Sequence, residues 1–233
     1  ILRRGPHDMK ATLGQESWQH IVHHSESLRV YEIQLSMNEH ANHNVTFPYD
    51  SLVTVTDGQI FLESEGEETS LKANQAAWLS HEQALKCVAV SDIARLFVVV
   101  FVGQTKREKK KCERFASGTE HKHKLNSGIT YWTVENKEFG KIEWIMLPAQ
   151  HKEADYYFKS SEQFILPLNY DSALSITFDQ KNAQVIPKSG IAVAKGTSRS
   201  LFNRSSKPIT YLSITTPYPS RSRVIKVHDH SKD

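Results

Sequence analysis

Three side chains in the second half of the chain have types and spacing suited to anion binding or acid–base chemistry: Tyr156, Glu162 and Arg199. Side chains alternate between the two faces of a strand, so Glu162 and Phe164 share one face. We expect that face to look into the same interior as Tyr156 and Phe158 on the preceding segment. An arginine can bind a carboxylate or phosphate with two parallel hydrogen bonds. A tyrosine can donate a proton while Glu162 acts as the base.

A purely structural role for the same residues is an open alternative. A lone buried carboxylate is costly, so Glu162 and Arg199 are expected to pair if they lie within reach, and pairing would lower the pKa of Glu162. Buried ion pairs also occur outside functional sites. The residue types alone therefore do not distinguish a ligand clamp from a structural ion pair.

A second group of potential ligands lies in the first half of the chain. His40, His43 and Asp50 are close in sequence, and His81 lies in a later turn. Imidazole and carboxylate donors are typical of zinc sites, so these four residues become metal ligands if a bulge turns them inward. The alternative is a solvated hairpin loop at Glu39–Asn44, because two histidines three residues apart, without a supporting strand, are a weak metal signal. We expect the loop.

Short strands must position these residues, because β-branched and aromatic residues recur in short runs separated by polar turns. Only the charge run Thr105–Arg114 has a helical pattern. The predicted strands are Ser27–Leu35, Ser51–Thr56, Gln59–Glu63, Gln75–Leu79, Lys86–Val90, Arg95–Val102, Ile129–Val134, Gly140–Leu147, Gln163–Leu168, Ala173–Phe178, Gly190–Ala194 and Ile209–Thr215.

The second half of the chain repeats the spacing of the first. Phe158 follows Phe47 by 111 residues, and Asn169 follows Gly58 by the same offset. A constant offset over several features indicates an internal repeat, and many short strands in one repeat typically close into a sandwich or barrel. We therefore predict an all-β protein with two antiparallel β-barrels in tandem. The expected bounds are 11–104 and 119–221 for the barrels, 105–118 for a basic linker, and 1–10 and 222–233 for flexible ends.

Composition excludes several classes of protein. Of the 233 residues, 39% are hydrophobic and 24% are charged, which is typical of a globular domain. A net charge of +3 is too small to make nucleic acid the expected partner. No run reaches the roughly 18 apolar residues of a membrane span, and two cysteines cannot supply a disulfide framework. We expect a soluble, cytoplasmic protein that binds neither nucleic acid nor membranes.

From about Ser27 to Thr216 the spacing resembles the two motifs of the cupin superfamily, and specifically a bicupin. The first motif is Gly, five residues, His-x-His, three or four residues, Glu, six residues, Gly. The second is Gly, five residues, Pro-x-Gly, two residues, His, three residues, Asn. The corresponding positions of the second half hold Gln150, Tyr156, Phe158, Glu162 and Asn169, then Lys188, Ala194, Gly196, Arg199 and Asn203. The resemblance implies two RmlC-like jelly-roll barrels.

The resemblance also implies a metal held by three imidazoles and one carboxylate, but the residues at those positions do not suit one. They are Val45, Phe47, Ser51 and Leu85 in the first half, and Tyr156, Phe158, Glu162 and Arg199 in the second. Only Glu162 is a good ligand, while Arg199 is permanently cationic and offers only donors. We expect no metal and no other cofactor in either barrel.

These considerations predict a protein that binds a small, anionic or sugar-like organic ligand in the C-terminal barrel. The candidate ligand contacts are Arg199, Asn203, Phe158 and Phe164. An alternative is a metal-independent isomerase or epimerase of a sugar derivative, in which Tyr156 and Glu162 transfer protons. A metal-dependent cupin enzyme is the alternative if the strand register differs from ours. Whether the protein is an enzyme, and whether it forms a homodimer through sheet packing, stays open.

Overall fold

The structure is a computed structural model that describes residues 11–39, 45–64, 66–105, 114–116, 122–136, 140–168, 173–219 and 223–226. The chain divides into two compact units, Ile1–Glu120 and His121–Asp233. All secondary structure in the described residues is β-strand, as predicted. The helical pattern at 105–114 lies almost wholly outside them. Nowhere in the described residues is there a helix long and apolar enough to cross a membrane.

The first unit is built from two antiparallel sheets. Its strands are β1 (Ala11–Thr12), β2 (Trp18–His24), β3 (Leu28–Ser36), β4 (Val45–Thr46), β5 (Ser51–Asp57), β6 (Gln59–Ser64), β7 (Glu67–Lys72), β8 (Gln75–Leu79), β9 (Ala84–Ala89), β10 (Ile93–Phe101) and β11 (Arg114–Ala116). One sheet has the order β1-β2-β3-β10-β5-β8-β11, and the other has the order β4-β9-β6-β7. Strand β11 lies within the segment expected to be a linker, and it pairs with β8.

A closed apolar core fills the space between these two sheets. Alternate residues of β3 and β10, such as Ile33 and Val98, contribute from one sheet, and Leu62 of β6 contributes from the other. Phe47 and Leu85 belong to the same cluster, with 4% and 1% of their surfaces exposed. The interior of the first barrel is therefore apolar at two of the positions where the cupin motifs carry metal ligands.

Cys87 of β9 is part of this core, and burial raises the pKa of its thiol to about 12. The thiolate is the reactive form of cysteine. We therefore expect iodoacetamide at pH 8 to alkylate Cys87 roughly a thousandfold more slowly in the folded protein than in urea. Mass spectrometry of the Cys87 peptide gives both rates. Rates within tenfold of each other would contradict a closed core at this position.

The second unit repeats the strand order of the first. Its strands are β12 (Lys122–Lys124), β13 (Thr130–Asn136), β14 (Gly140–Leu147), β15 (Tyr156–Tyr157), β16 (Glu162–Pro167), β17 (Leu174–Phe178), β18 (Gln184–Val185), β19 (Ile191–Val193), β20 (Arg199–Asn203), β21 (Ile209–Thr216) and β22 (Val224–Ile225). The sheet β12-β13-β14-β21-β16-β19 matches β1-β2-β3-β10-β5-β8. The sheet β18-β17-β20-β15-β22 matches β7-β6-β9-β4, with β22 added beside β15. The prediction of two antiparallel barrels is confirmed.

The core of the second unit also lies between its two sheets. Ile145, Ile165 and Tyr211 contribute from the larger sheet, and Leu174 and Leu201 contribute from the smaller one. These residues define which side chains face the interior, because every second residue of a strand points the same way. On β20, Arg199 and Asn203 therefore share the inward face with Leu201.

Candidate functional site

The structure brings Arg199, Tyr156 and Phe158 together inside the second barrel. Arg199 begins β20 and stands directly opposite Tyr156 of β15. Its Cζ atom lies 5.2 Å from the centroid of the Tyr156 ring and 5.4 Å from that of Phe158. The two rings meet edge to face, with centroids 5.8 Å apart. The guanidinium is thus packed against two aromatic rings, which attract a cation.

Arg199 is completely buried, with 0% of its surface exposed. Its Nε, Nη1 and Nη2 atoms have no hydrogen-bond partner among the described residues. Burial lowers the pKa of this guanidinium, although an arginine stays charged at neutral pH. A buried charge without a hydrogen-bonded counter-ion is costly, so an acceptor beside this guanidinium would stabilise it. The Arg199 guanidinium can therefore still donate hydrogen bonds to an acceptor in the barrel interior.

Strand β16 presents Gln163, and not Glu162, to this interior. The Tyr156 hydroxyl donates to Gln163 Oε1 at 3.3 Å, and Gln163 Nε2 donates to Ser213 Oγ at 2.7 Å. Because successive side chains alternate, Glu162 and its neighbour Phe164 point to the opposite face. The expected hydrogen-bonded pair of Glu162 with Arg199 is not formed among the described residues. Residues 158–161, between β15 and β16, are not part of a strand and include a bend at 159–160. The inward and outward order of side chains on β15 therefore does not predict which side chains of β16 point inward.

The Phe164 ring instead packs against Gly190. A Cβ atom at Gly190 would lie 2.6 Å from the ring, and the backbone there has φ of +82°. Glycine is the residue that accepts both conditions without strain. Phe164 therefore has a packing role on the outer face of β16 and is not positioned to contact a ligand of the barrel interior.

Asn203 is placed inside the barrel but is occupied by backbone contacts. Its Nδ2 atom donates to the carbonyl oxygens of Leu147, Pro148 and Lys207 at 3.2, 3.0 and 2.8 Å. Its Oδ1 atom accepts from the Ser205 amide at 2.9 Å. The side chain therefore holds the turn after β20 and has no donor left for a ligand.

A second arginine, which sequence reasoning missed, enters the site from the C-terminal strand. Tyr156 of β15 also pairs with Ile225 of β22, and Arg223 precedes this strand. The Arg223 Cζ atom lies 4.2 Å from the centroid of the Tyr156 ring, and its Nη1 atom lies 2.8 Å from Glu153 Oε2. Part of the segment 222–233, which we expected to be flexible, is thus a strand. The run Arg-Val-Ile at 223–225 is the only local signal for it.

Glu153 links this arginine to a second buried phenol. The Tyr211 hydroxyl donates to Glu153 at 3.3 Å. Burial raises the pKa of Tyr156 and of Tyr211, so both phenols stay protonated at neutral pH. Burial opposes the charge of Arg223, but the nearby acidic groups Tyr156 and Glu153 outweigh it and raise its pKa. Glu153 therefore balances Arg223, and the charge of Arg199 is left without a balancing anion in this cluster.

A cavity of about 290 Å³ opens beside the cluster, within the second unit. Its charged lining residues are Lys141, Glu143, Glu153 and Arg223. Its apolar lining residues include Leu125, Ile129, Ile145, Phe158, Pro219 and Ile225. Known small-molecule pockets of roughly 300–1,000 Å³ combine a mainly apolar lining with a few polar groups in this way. The volume of this cavity lies just below that range.

The alternative metal site in the first unit is only partly described. Asp50 Oδ1 accepts from the His81 amide at 2.8 Å and lies 3.0 Å from His81 Nδ1. His40 and His43 lie outside the described residues. Across the described ranges, no three His, Cys, Asp or Glu side chains are grouped to hold a metal.

The two barrels also differ at the strand position that corresponds to a cupin metal ligand. Val45 pairs with Leu85 in the first unit, as Tyr156 pairs with Arg199 in the second. A leucine has no donor atom, and a guanidinium has no lone pair to offer a cation. The residues present at these positions therefore do not fit the metal that cupin motifs hold.

Solved structures with similar folds cover most of the chain. AerE from Microcystis aeruginosa is 11% identical, with a TM-score of 0.67 over 89% of this chain and 95% of that one. Oxalate decarboxylase OxdC from Bacillus subtilis is 8% identical, with a TM-score of 0.67 over 93% and 77%. A vicilin from Solanum melongena, with different anionic ligands in structurally similar pockets, is 7% identical, with a TM-score of 0.64 over 93% and 84%.

Sequence comparison adds nothing to this likeness. No protein-family model matches the chain, and no curated protein matches it significantly. At these identities the structural likeness establishes the fold alone.

Proposed function

Because the chain has the cupin fold of these structures, we propose that it is a small-molecule-binding protein whose second barrel holds a small organic anion without a metal. The observation that carries the proposal is the buried guanidinium of Arg199, whose three nitrogens have no hydrogen-bond partner among the described residues. An anionic ligand supplies the acceptors that this group lacks, and arginine binds carboxylate and phosphate groups in bidentate fashion.

The surroundings of Arg199 support an anion over a cation or a neutral molecule. The Cζ atoms of Arg199 and Arg223 lie 5.2 and 4.2 Å from the centroid of the Tyr156 ring, so two guanidinium groups contact one aromatic ring. Glu153 balances only one of them. In the Solanum melongena vicilin, anionic ligands occupy structurally similar pockets. Anion binding in the second barrel of this chain would place the same class of ligand in the same fold.

The metal-independent isomerase or epimerase has less support. Glu162 lies on the face of β16 opposite to Gln163, which is the residue that Tyr156 contacts. A raised pKa keeps the Tyr156 phenol protonated, so it could act only as the proton donor, and the base would have to be Glu162. A proton-transfer pair requires both groups within reach of the same substrate, and this arrangement separates them.

Thermal unfolding of the full chain tests the proposal with pairs of small acids and their neutral amides. We expect at least one acid to raise Tm by about 5–10 °C at roughly 100 times its Kd, because a ligand that binds the folded state stabilises it by mass action. The matching amide should leave Tm unchanged, since it has no charge to offer Arg199.

Two further measurements complete this test. The variant Glu162→Gln is expected to show the same shift as the parent protein, because Glu162 faces away from the interior. Equal shifts for acid and amide, or one tightly held metal ion per chain by elemental analysis, would contradict the proposal.

A further inference from the structure

We infer that the anion bound by the second barrel is an amphipathic monocarboxylate, with one acidic head group and an apolar chain or ring. This inference rests on the proposed function and narrows its ligand class. It follows from how apolar and charged side chains are distributed around the cavity, and not from the Arg199 guanidinium alone.

The mouth of the cavity is apolar and exposed. Leu125 has 47% of its surface exposed and Ile225 has 61%, and both line the cavity. Deeper in the cavity, Ile145 and Phe158 are 2% and 4% exposed. Exposed apolar side chains that continue into an apolar interior form a surface that gains free energy when a ligand removes it from water. A purely polar ligand would leave this surface uncovered.

The charged groups of the lining compensate one another's charge. Arg223 forms a hydrogen-bonded ion pair with Glu153 at 2.8 Å, and Lys141 Nζ lies 3.8 Å from Glu143 Oε2, an ion-pair distance that is too long for a hydrogen bond. Most of the other lining residues are apolar and offer the hydroxyls of a sugar no hydrogen-bonding group. The described lining therefore suits an apolar body better than a carbohydrate.

The net charge of the cluster indicates a single negative charge on the ligand. The pairs Arg223–Glu153 and Lys141–Glu143 cancel, and Arg199 is the cation left over. One carboxylate balances it, whereas a zwitterion would leave the excess charge unchanged. A dianion would add a second buried charge without a partner, which is costly.

Phe158 separates the cavity from Arg199. Its ring lines the cavity, and the Arg199 Cζ atom lies 5.4 Å from the ring centroid. Arg223 lines the cavity directly. The head group therefore lies beside Arg223 and the Phe158 ring, with Arg199 behind that ring, while the apolar part lies against Ile145 and Ile225.

Isothermal titration of the full chain with straight-chain carboxylates from acetate to octanoate, below their micellar concentrations, tests this inference. We expect affinity to rise about three- to fourfold for each added CH₂, the gain expected when each methylene is buried. The rise should stop once the chain fills the cavity. Sugar acids of similar size should bind no more tightly than acetate.

Two exposed positions of the second unit provide matched variants. Ile225→Ser removes an apolar wall of the cavity and is expected to weaken octanoate about tenfold while leaving acetate unchanged. Val185→Ser is the control, because Val185 is 52% exposed and does not line the cavity. Both substitutions are at exposed sites, where changes in stability are usually small.

The outcomes distinguish failure of the inferred ligand class from failure of the proposed function. Equal affinities along the series, or tighter binding of sugar acids, would overturn the amphipathic ligand while anion binding stands. Equal effects of Ile225→Ser and Val185→Ser would overturn the assigned apolar wall. If no carboxylate, phosphate or sugar acid binds at all, the proposed function fails together with the inference.

Discussion

Replacing Arg199 by methionine is expected to make the ligand-free protein more stable and to weaken its binding of small acids strongly. A buried cation without a hydrogen-bonded counter-ion destabilises the folded state, and well-packed apolar replacements of buried charged groups are often neutral or stabilising by about 1–4 kcal/mol. Methionine is unbranched and flexible, so it can fill the space between the rings of Tyr156 and Phe158. Loss of a bidentate charged contact should weaken acid binding roughly 100-fold.

Urea denaturation measures the stability, and titration with an acid that raises the Tm of the parent protein measures the binding. Arg204→Met is the matched control, since Arg204 is exposed and its guanidinium also stacks on an aromatic ring, that of Phe202, at 5.6 Å. It should change stability by no more than about 0.5 kcal/mol and leave binding unchanged. A loss of stability in Arg199→Met with binding intact would assign Arg199 a structural role and contradict the proposed site.

Replacing Leu85 by alanine is expected to destabilise the protein by about 2–5 kcal/mol, the range measured for buried leucines in other proteins. Leu85 occupies in the first barrel the strand position that Arg199 occupies in the second, and it is 1% exposed in a closed apolar core. Truncation removes packing contacts and leaves a cavity. Acid binding by the protein that remains folded should not change, because the binding residues belong to the second unit.

Val88→Ala is the control for this variant, because Val88 lies on the same strand and is 46% exposed. It should cost much less than Leu85→Ala in the same urea experiment. If Leu85→Ala costs less than about 1 kcal/mol, the interior of the first barrel is not the packed core described above. Opposite signs of the stability change for Leu85→Ala and Arg199→Met would identify one barrel as a packed scaffold and the other as the binding site.

Much of the fold could be predicted because many of the strands longer than about four residues carry a periodic signal, although β2, β7 and β20 were not predicted. Each predicted strand overlaps an observed one, and Gln75–Leu79 and Gly140–Leu147 have the predicted bounds. Strands of two residues, such as β15 and β22, contain no full alternation and cannot be recognised from pattern. Strand β15 contains Tyr156, and β22 brings Arg223 to it. The sequence pattern that predicts strands is therefore weakest at the candidate site.

The site was partly predictable for a related reason. Spacing pointed to Tyr156, Phe158 and Arg199, and the structure brings these three together. Spacing also pointed to Glu162, but the non-extended residues after β15 reset the alternation, and Gln163 is the residue that faces Tyr156. The alternation of inward and outward side chains within a strand can be predicted from sequence. Which set of side chains points inward after a loop depends on how the new strand pairs with its partner strand.

The amino-acid sequence by itself determined the all-β class and the two repeated barrels, because these follow from local periodicity and constant offsets. From donor chemistry it also predicted that the cupin ligand positions do not suit a metal. Only the tertiary structure decided that Gln163 points inward and that Arg199 lacks a hydrogen-bond partner among the described residues. It also decided that Arg223 pairs with Glu153, 70 positions earlier in the chain. Such contacts arise when sheet pairing brings distant segments together, and no local pattern encodes that pairing.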